Sequence, residues 1–153
     1  MGQIIQASFS EILPGEDGFN NSQLLDIFRF AERGLDILPV PVREYNGKYL
    51  HLDGRHRLLY HKIRGEESVW LYLLESREDF MSEEVFPDVP KVFLWENNDN
   101  IYGRWSGVEY NCNEIYVKDY NEYFERLAKN NGFLRDEKSC RTYLNFIFPD
   151  WLK

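Results

Sequence analysis

Residues 35–75 read LDILPVPVREYNGKYLHLDGRHRLLYHKIRGEESVWLYLLE, and this stretch decides the fold. Its first part, PVPVREY, alternates apolar and other side chains, which predicts a strand. Pro41 places that strand at or near a sheet edge. Asn46-Gly47 predicts a type I′ hairpin, because this turn needs a positive φ at both central residues. The following residues, 48–53, then form the returning strand.

After Gly54, the spacing of the apolar residues changes from that of a strand to that of a helix. The leucine and isoleucine side chains of RHRLLYHKIRG fall on one helical face, and Arg57 and His61 fall on the opposite face. Residues 68–74, SVWLYLL, are almost all apolar, which predicts a strand inside the sheet with Trp70 in the core.

Other segments add elements on both sides of this unit. Residues 3–9 predict a short strand, and residues 22–34 predict a helix that begins at Asn21 or Ser22. Asp119-x-x-Glu122 resembles a capping box that opens a helix. Further predictions are a short acidic helix over 76–86, a break at Pro87 and Pro90, and a last helix over about 137–148.

These elements predict an α+β fold with a small mixed sheet. Residues 1–86 are expected to form the core. Residues 87–153 form an aromatic-rich C-terminal elaboration that packs on the core as one domain.

The composition restricts the function classes. The net charge is −8 and the pI is about 4.9, so non-specific DNA binding, which depends on Lys and Arg, is disfavoured. The sequence shows neither a secretory signal nor an apolar run long enough to span a membrane. Cys112 and Cys140 are too few for a disulfide scaffold and are expected to be free thiols. We therefore expect a cytoplasmic protein.

The bend LDGRHR, residues 52–57, is the candidate site. The first turn of a helix offers unpaired N–H groups and the positive end of its dipole, which together attract anions. Arg55, His56 and Arg57 add cations at this end, where they oppose the dipole unless an anion binds. The alternative is that both arginines form ion pairs with acidic side chains of the chain.

The same residues carry a family resemblance. The stretch 37–76, together with the helix before it, resembles the ParB N-terminal/sulfiredoxin-like superfamily over about residues 3–75. Members of that superfamily share an apolar-Pro-apolar strand, a hairpin, a D/G-G-x-H/R-R bend, a helix and a final strand. The resemblance implies a phosphate site, and more specifically a nucleotide site.

Individual roles follow only where positions match. In the chromosome-partition proteins, which bind CTP, the second basic residue and the Arg of the bend contact phosphates; those positions are His56 and Arg57 here. Sulfiredoxins need a catalytic Cys where this chain has Arg55, so sulfiredoxin activity is not expected.

The bend is most similar to the Asp-Gly-His-His-Arg motif of the free-serine kinases of this fold. Asp53 and Gly54 match that motif, and Arg55 replaces a His. Those kinases also use a Glu in the loop ahead of the first long helix. Glu16 is the nearest candidate, with Asp17 as its neighbouring alternative.

The resulting hypothesis is a nucleotide-binding protein with kinase or nucleotide triphosphatase activity and ATP, ADP or CTP as ligand. Gly54, Arg55 and the backbone N–H groups would hold the phosphates, while His56 and Arg57 would neutralise charge. Asp53 is the predicted ligand of a magnesium ion, and Glu16 would orient or deprotonate the attacking group.

DNA-binding or nuclease activity is less expected because of the net charge of −8, and one alternative function remains open. A non-catalytic module of this fold would bind a protein partner, or a second copy, through the C-terminal half. A transition-metal site at His51, His56 and His61 is disfavoured, because five positions separate His56 and His61, which turns them about 140° apart on a helix.

Overall fold

A computed structural model of the chain describes residues 2–76 and 117–150. These residues form a five-stranded sheet and four α-helices, which confirms the predicted α+β class. The strands are β1 Gln3–Ser8, β2 Ile12–Leu13, β3 Val40–Tyr45, β4 Lys48–His51 and β5 Ser68–Leu73. The helices are α1 Asn21–Glu32, α2 Arg55–Ile63, α3 Tyr120–Asn130 and α4 Glu137–Ile147.

The sheet is mixed, with the strand order β1-β5-β3-β4-β2. The strand β3 is parallel to β5, and β2 is parallel to β4, whereas the other two pairings are antiparallel. The predicted interior position of β5 is confirmed. The predicted edge position of β3 is wrong, because β3 is the central strand. Pro41 is tolerated in this central strand. Its carbonyl oxygen accepts from the Leu52 N–H at the point where the ladder with β4 ends. Because proline has no N–H, only the last hydrogen bond of that ladder is lost.

The hairpin between β3 and β4 has the predicted geometry. Asn46 and Gly47 have φ values of 50° and 79°, the positive pair that a type I′ turn requires. The chain then passes through α2 into β5, which lies beyond β3 and runs parallel to it. The helix α2 is thereby held at the end of β4.

The helix termini are set by side-chain caps. The Asn20 side chain accepts from the Gln23 N–H, so the cap of α1 lies one residue before Asn21, the first of the two predicted candidates. The Asp119 side chain accepts from the Glu122 N–H and opens α3, as the capping box predicts.

Two clusters of buried apolar side chains form the core. One cluster joins the inner face of the sheet to Leu58 of α2 and to Tyr120 and Tyr123 of α3. The other joins α1 and α2 to α3 and α4. Residues 117–150 therefore pack against residues 2–76 in both clusters. The boundary between 1–86 and 87–153 remains a prediction.

The predicted burial of Trp70 is wrong, since it is 55% exposed. Its neighbours Val69 and Leu71 point into the core, and alternation along β5 turns Trp70 to the opposite face. Cys140 is buried and free.

Some predictions fall beyond the residues that the structure describes. These are the acidic helix over 76–86, the break at Pro87 and Pro90, and the Cys112 thiol. Within residues 2–76 and 117–150, no helix has both the length and the apolar character that crossing a membrane would require.

Candidate ligand-binding cleft

A cleft of about 510 Å³ opens between the N-terminus of α2, the loop of residues 14–20 and one face of α1. Its lining includes every residue that the sequence predicts for the site: Glu16, Asp53, Gly54, Arg55, His56 and Arg57. The volume falls within the range of small-molecule sites.

The bend depends on a glycine at position 54. Gly54 caps α2 with a φ of 84°, in the left-handed region that side chains disfavour. A Cβ atom there would lie 2.7 Å from the guanidinium of Arg57. Only glycine therefore satisfies both the turn and the close approach of Arg57.

Arg57 is buried, which corrects its predicted place on a polar helix face. Its side chain is directed under the bend, and its residue is only 5% exposed. Its Nη1 donates to the carbonyl oxygens of Leu38 and Pro39, at 3.3 and 2.9 Å. Burial lowers the pKa of Arg57, and the charge of Asp53 acts against this shift. Arg57 thus connects the start of α2 to the segment before β3, and it also forms part of the cleft lining.

His56 is also buried, and its Nε2 accepts a 2.9 Å hydrogen bond from the Asn20 N–H. Burial and the nearby Arg55 lower the pKa of His56 to about 4. The ring is therefore neutral at pH 7 with its proton on Nδ1. In this state His56 offers one N–H donor, and its expected role in neutralising phosphate charge remains a prediction.

Arg55 is the more accessible cation of the bend. Its Nε lies 3.6 Å from the Glu16 carboxylate, and its Nη1 donates to the Asp17 carbonyl at 3.1 Å. The ion pair considered as an alternative is thus present. The side chain is one-third exposed, so this pair is weak. A guanidinium with five N–H donors keeps further capacity for an anion.

The loop that carries Glu16 is bonded at one end to the last residue of β4 and at the other end to the bend. The Gly15 N–H donates to His51 Nδ1 at 2.7 Å, and the Asn20 N–H donates to His56 Nε2. A Cβ atom on Gly15 would lie within 1.9 Å of the His51 carbonyl oxygen, so this approach also requires glycine. These bonds hold Glu16 beside the start of α2.

Tyr123 of α3 holds the middle of the same loop. Its hydroxyl donates to the Asp17 carboxylate at 2.9 Å and accepts from the Gly18 N–H at 2.8 Å. Burial raises the pKa of Tyr123, and its bond to Asp17 adds to the rise, so the hydroxyl stays protonated. The sequence alone does not indicate this residue, because its partners are more than 100 positions away.

The third side of the cleft is a stripe on α1, which the sequence did not predict as part of the site. It consists of Gln23, Asp26, Ile27 and Phe30. The last three residues follow Gln23 by three, four and seven positions, and this spacing places all four side chains on one helical face. That shared face is the only feature of the sequence that points to the stripe.

The charges of the cleft bear on metal binding. Glu16, Asp26 and Asp53 stand against Arg55 and Arg57 in its lining. In the described part of the chain, no three or more His, Cys, Asp or Glu side chains are grouped to hold a metal. Mg²⁺ commonly takes only one or two carboxylates, with substrate phosphates and water completing its shell. Asp53 fits that need once a phosphate is bound.

The histidines fit a transition-metal site poorly. His51 Nδ1 and His56 Nε2 each accept a backbone N–H, so neither nitrogen has its lone pair free for a metal. The third histidine, His61, instead contacts Glu66 at the other end of α2.

Neither protein-family models nor curated proteins give a match to this chain. The resemblance to the ParB/sulfiredoxin-like superfamily remains a prediction from the bend and its setting.

Proposed function

We propose that the cleft binds the phosphates of a nucleotide together with magnesium, in a protein of ParB/sulfiredoxin-like fold. One observation carries this proposal: Glu16, distant in sequence from the bend, lines the same cleft as residues 53–57. The resemblance to the free-serine kinases implies a Glu in this loop, and Glu16 lies 3.6 Å from Arg55 of the bend.

The start of α2 supplies the anion site. The helix has no side-chain cap, and the N–H groups of a first helical turn have no partner within the helix. Gly54 lets a ligand approach the backbone closely, and Arg55 adds a partly exposed positive charge. A phosphate bound there would accept from these N–H groups and share Arg55 with Glu16.

Magnesium offsets the acidic side chains of the cleft. Asp53 and phosphate oxygens would hold the ion, which would reduce the repulsion between a polyphosphate and the three carboxylates. Binding should therefore depend on a divalent cation.

The remaining residues fit phosphoryl transfer or hydrolysis. Neutral His56 can donate from Nδ1 to a phosphate oxygen, and Glu16 can orient or deprotonate the attacking hydroxyl or water. The arrangement thus supports a kinase or a nucleotide triphosphatase.

A thermal-shift panel tests the proposal, using ATP, ADP, CTP and GTP with and without Mg²⁺. A ligand that binds the native state raises the melting temperature. We expect at least one nucleotide to do so with Mg²⁺, and Arg55→Gln to lose the shift. Arg33→Gln, on an exposed residue just after α1, should keep it. A flat wild-type panel at millimolar nucleotide would count against the proposal.

A second candidate is a non-catalytic module that binds another protein or a second copy. The observation in its favour is Phe146 on α4, which is 82% exposed. An exposed aromatic side chain of this size would supply the apolar anchor of a protein contact. Sedimentation should then show association that Phe146→Ala abolishes, together with a flat nucleotide panel.

A further inference from the structure

We propose that the outer stripe of α1 binds the nucleoside half of the ligand, with the Phe30 ring stacked on the base; this inference rests on the proposed phosphate site. The site would then select a nucleotide over a bare polyphosphate or a sugar phosphate.

The helix α1 has two distinct faces that matter. Leu24, Leu25 and Phe28 are buried in the helical core cluster. Ile27 and Phe30 lie on the side that lines the cleft. Ile27 also packs against that core cluster. Phe30 belongs to none of the core clusters of the described residues, so the packing of α1 does not depend on Phe30, and its ring is presented to the cleft.

Phe30 is 40% exposed, although it is a large aromatic residue on a cleft wall. Half-buried Ile27 lies one turn before it and extends the apolar surface. An aromatic ring beside an aliphatic side chain is a surface on which a purine or pyrimidine can stack.

The order of side chains along α1 follows the order of groups in a nucleotide. The bond from the Asn20 N–H to His56 fixes the start of α1 beside the phosphate site. At 1.5 Å per residue, Gln23 lies nearest to this point, and Phe30 lies roughly 10 Å farther along the axis. The apolar end of the α1 stripe, at Phe30, is thus the end that lies farther from the proposed phosphate site.

Asp26 lies between these ends on the same wall. Its carboxylate accepts hydrogen bonds and repels phosphate, so it suits a neighbour that donates. The ribose hydroxyls are donors and are the part of a nucleotide that lies between phosphate and base. Phosphate, sugar and base would then meet an anion site, a carboxylate and an aromatic ring, in that order.

Calorimetric titration with two probes tests the inference. Wild-type protein is titrated with the nucleotide that gives the largest thermal shift and with inorganic tripolyphosphate, both with Mg²⁺. We expect the nucleotide to bind about tenfold more tightly, the difference that stacking of one base provides. Phe30→Ala should remove this preference and leave tripolyphosphate affinity unchanged. Phe30→Tyr should keep the preference, and Phe146→Ala is the control on an exposed aromatic outside the cleft.

Each outcome has one meaning. Equal wild-type affinities for the two probes would overturn the proposed role of the α1 stripe in binding the nucleoside. An unchanged preference in a folded Phe30→Ala variant would do the same. Neither result would contradict the proposed phosphate site. Binding of neither probe would overturn both. Loss of tripolyphosphate binding in Phe30→Ala would also contradict the inference, because Phe30 would then support the phosphate site itself.

Discussion

The Tyr123 hydroxyl donates a 2.9 Å hydrogen bond to the Asp17 carboxylate, which joins α3 to the loop beside the start of α2. The backbone carbonyl of Asp17 in turn accepts from Arg55. The C-terminal helices therefore support the candidate site, although none of their residues lines the cleft.

Tyr123→Phe tests this support. The substitution keeps the buried ring but removes the bonds to Asp17 and Gly18, so we expect a loss of about 1–2 kcal/mol in the free energy of unfolding. Nucleotide affinity should fall several-fold because Glu16 and Arg55 lose their fixed positions. Urea unfolding and calorimetry measure the two effects.

Tyr143→Phe on α4 is the matched control, since its hydroxyl makes only a long 3.4 Å bond to Asn21. Equal effects of the two substitutions would argue against a specific role for Tyr123.

Gly54→Ala should destabilise the protein by about 2–4 kcal/mol, because the new methyl group adds a clash with Arg57 to the left-handed strain. Gly65→Ala is the control: it has a similar φ of 77° but nothing within 4 Å of the added Cβ. It should cost only about 1 kcal/mol, the strain alone. Equal losses in urea unfolding would show that the approach of Arg57 to Gly54 does not matter.

Arg57→Ala should reduce the free energy of unfolding by about 2–4 kcal/mol, because it removes a buried side chain and leaves two partly buried carbonyl oxygens without their donor. Arg64→Ala, at the exposed end of α2, should cost less than about 1 kcal/mol. Loss of ligand binding in Arg57→Ala would therefore not identify a ligand contact. Arg55 is the residue that tests binding, since its side chain is partly exposed.

The pKa of His56 predicts how stability depends on pH. The pKa is lowered to about 4 in the native state, whereas unfolded His titrates near 6.5. The unfolded chain thus binds more protons between these values, and the stabilisation, complete above about pH 6.5, is lost as the pH falls toward 4. Its size is about 2–3 kcal/mol.

The comparison with His56→Gln measures this effect, because Gln can accept from the Asn20 N–H without titrating in this range. The wild type should lose stability between pH 6.5 and 4 relative to His56→Gln. Parallel pH curves for the wild type and His56→Gln would show that the native pKa of His56 is not lowered.

The elements that the sequence predicted well depend on neighbouring residues. Asn46-Gly47 determines its own turn, and Asp119 with Glu122 determines the start of α3. The bend at Gly54 was recognised for the same reason. Such signals act within a few positions of the chain.

The parts that the sequence missed depend on contacts between distant segments. Pro41 does not reveal that two strands flank β3, and Arg57 appears as a surface residue until the segment before β3 covers it. Tyr123 and Phe30 belong to the site region only through packing of α3 and α1. Periodicity shows which side chains share a face, but it does not show what that face contacts.

Calorimetric titration of the wild type and of Arg55→Gln with the best-binding nucleotide and Mg²⁺ tests phosphate binding in the cleft most directly. We predict saturable binding by the wild type, affinity reduced about tenfold or more in Arg55→Gln through loss of a charge-assisted contact, and unchanged affinity in Arg33→Gln. A wild type that binds no nucleotide, or an Arg55→Gln variant that binds as tightly as the wild type, would contradict the assignment of the bend as a phosphate site.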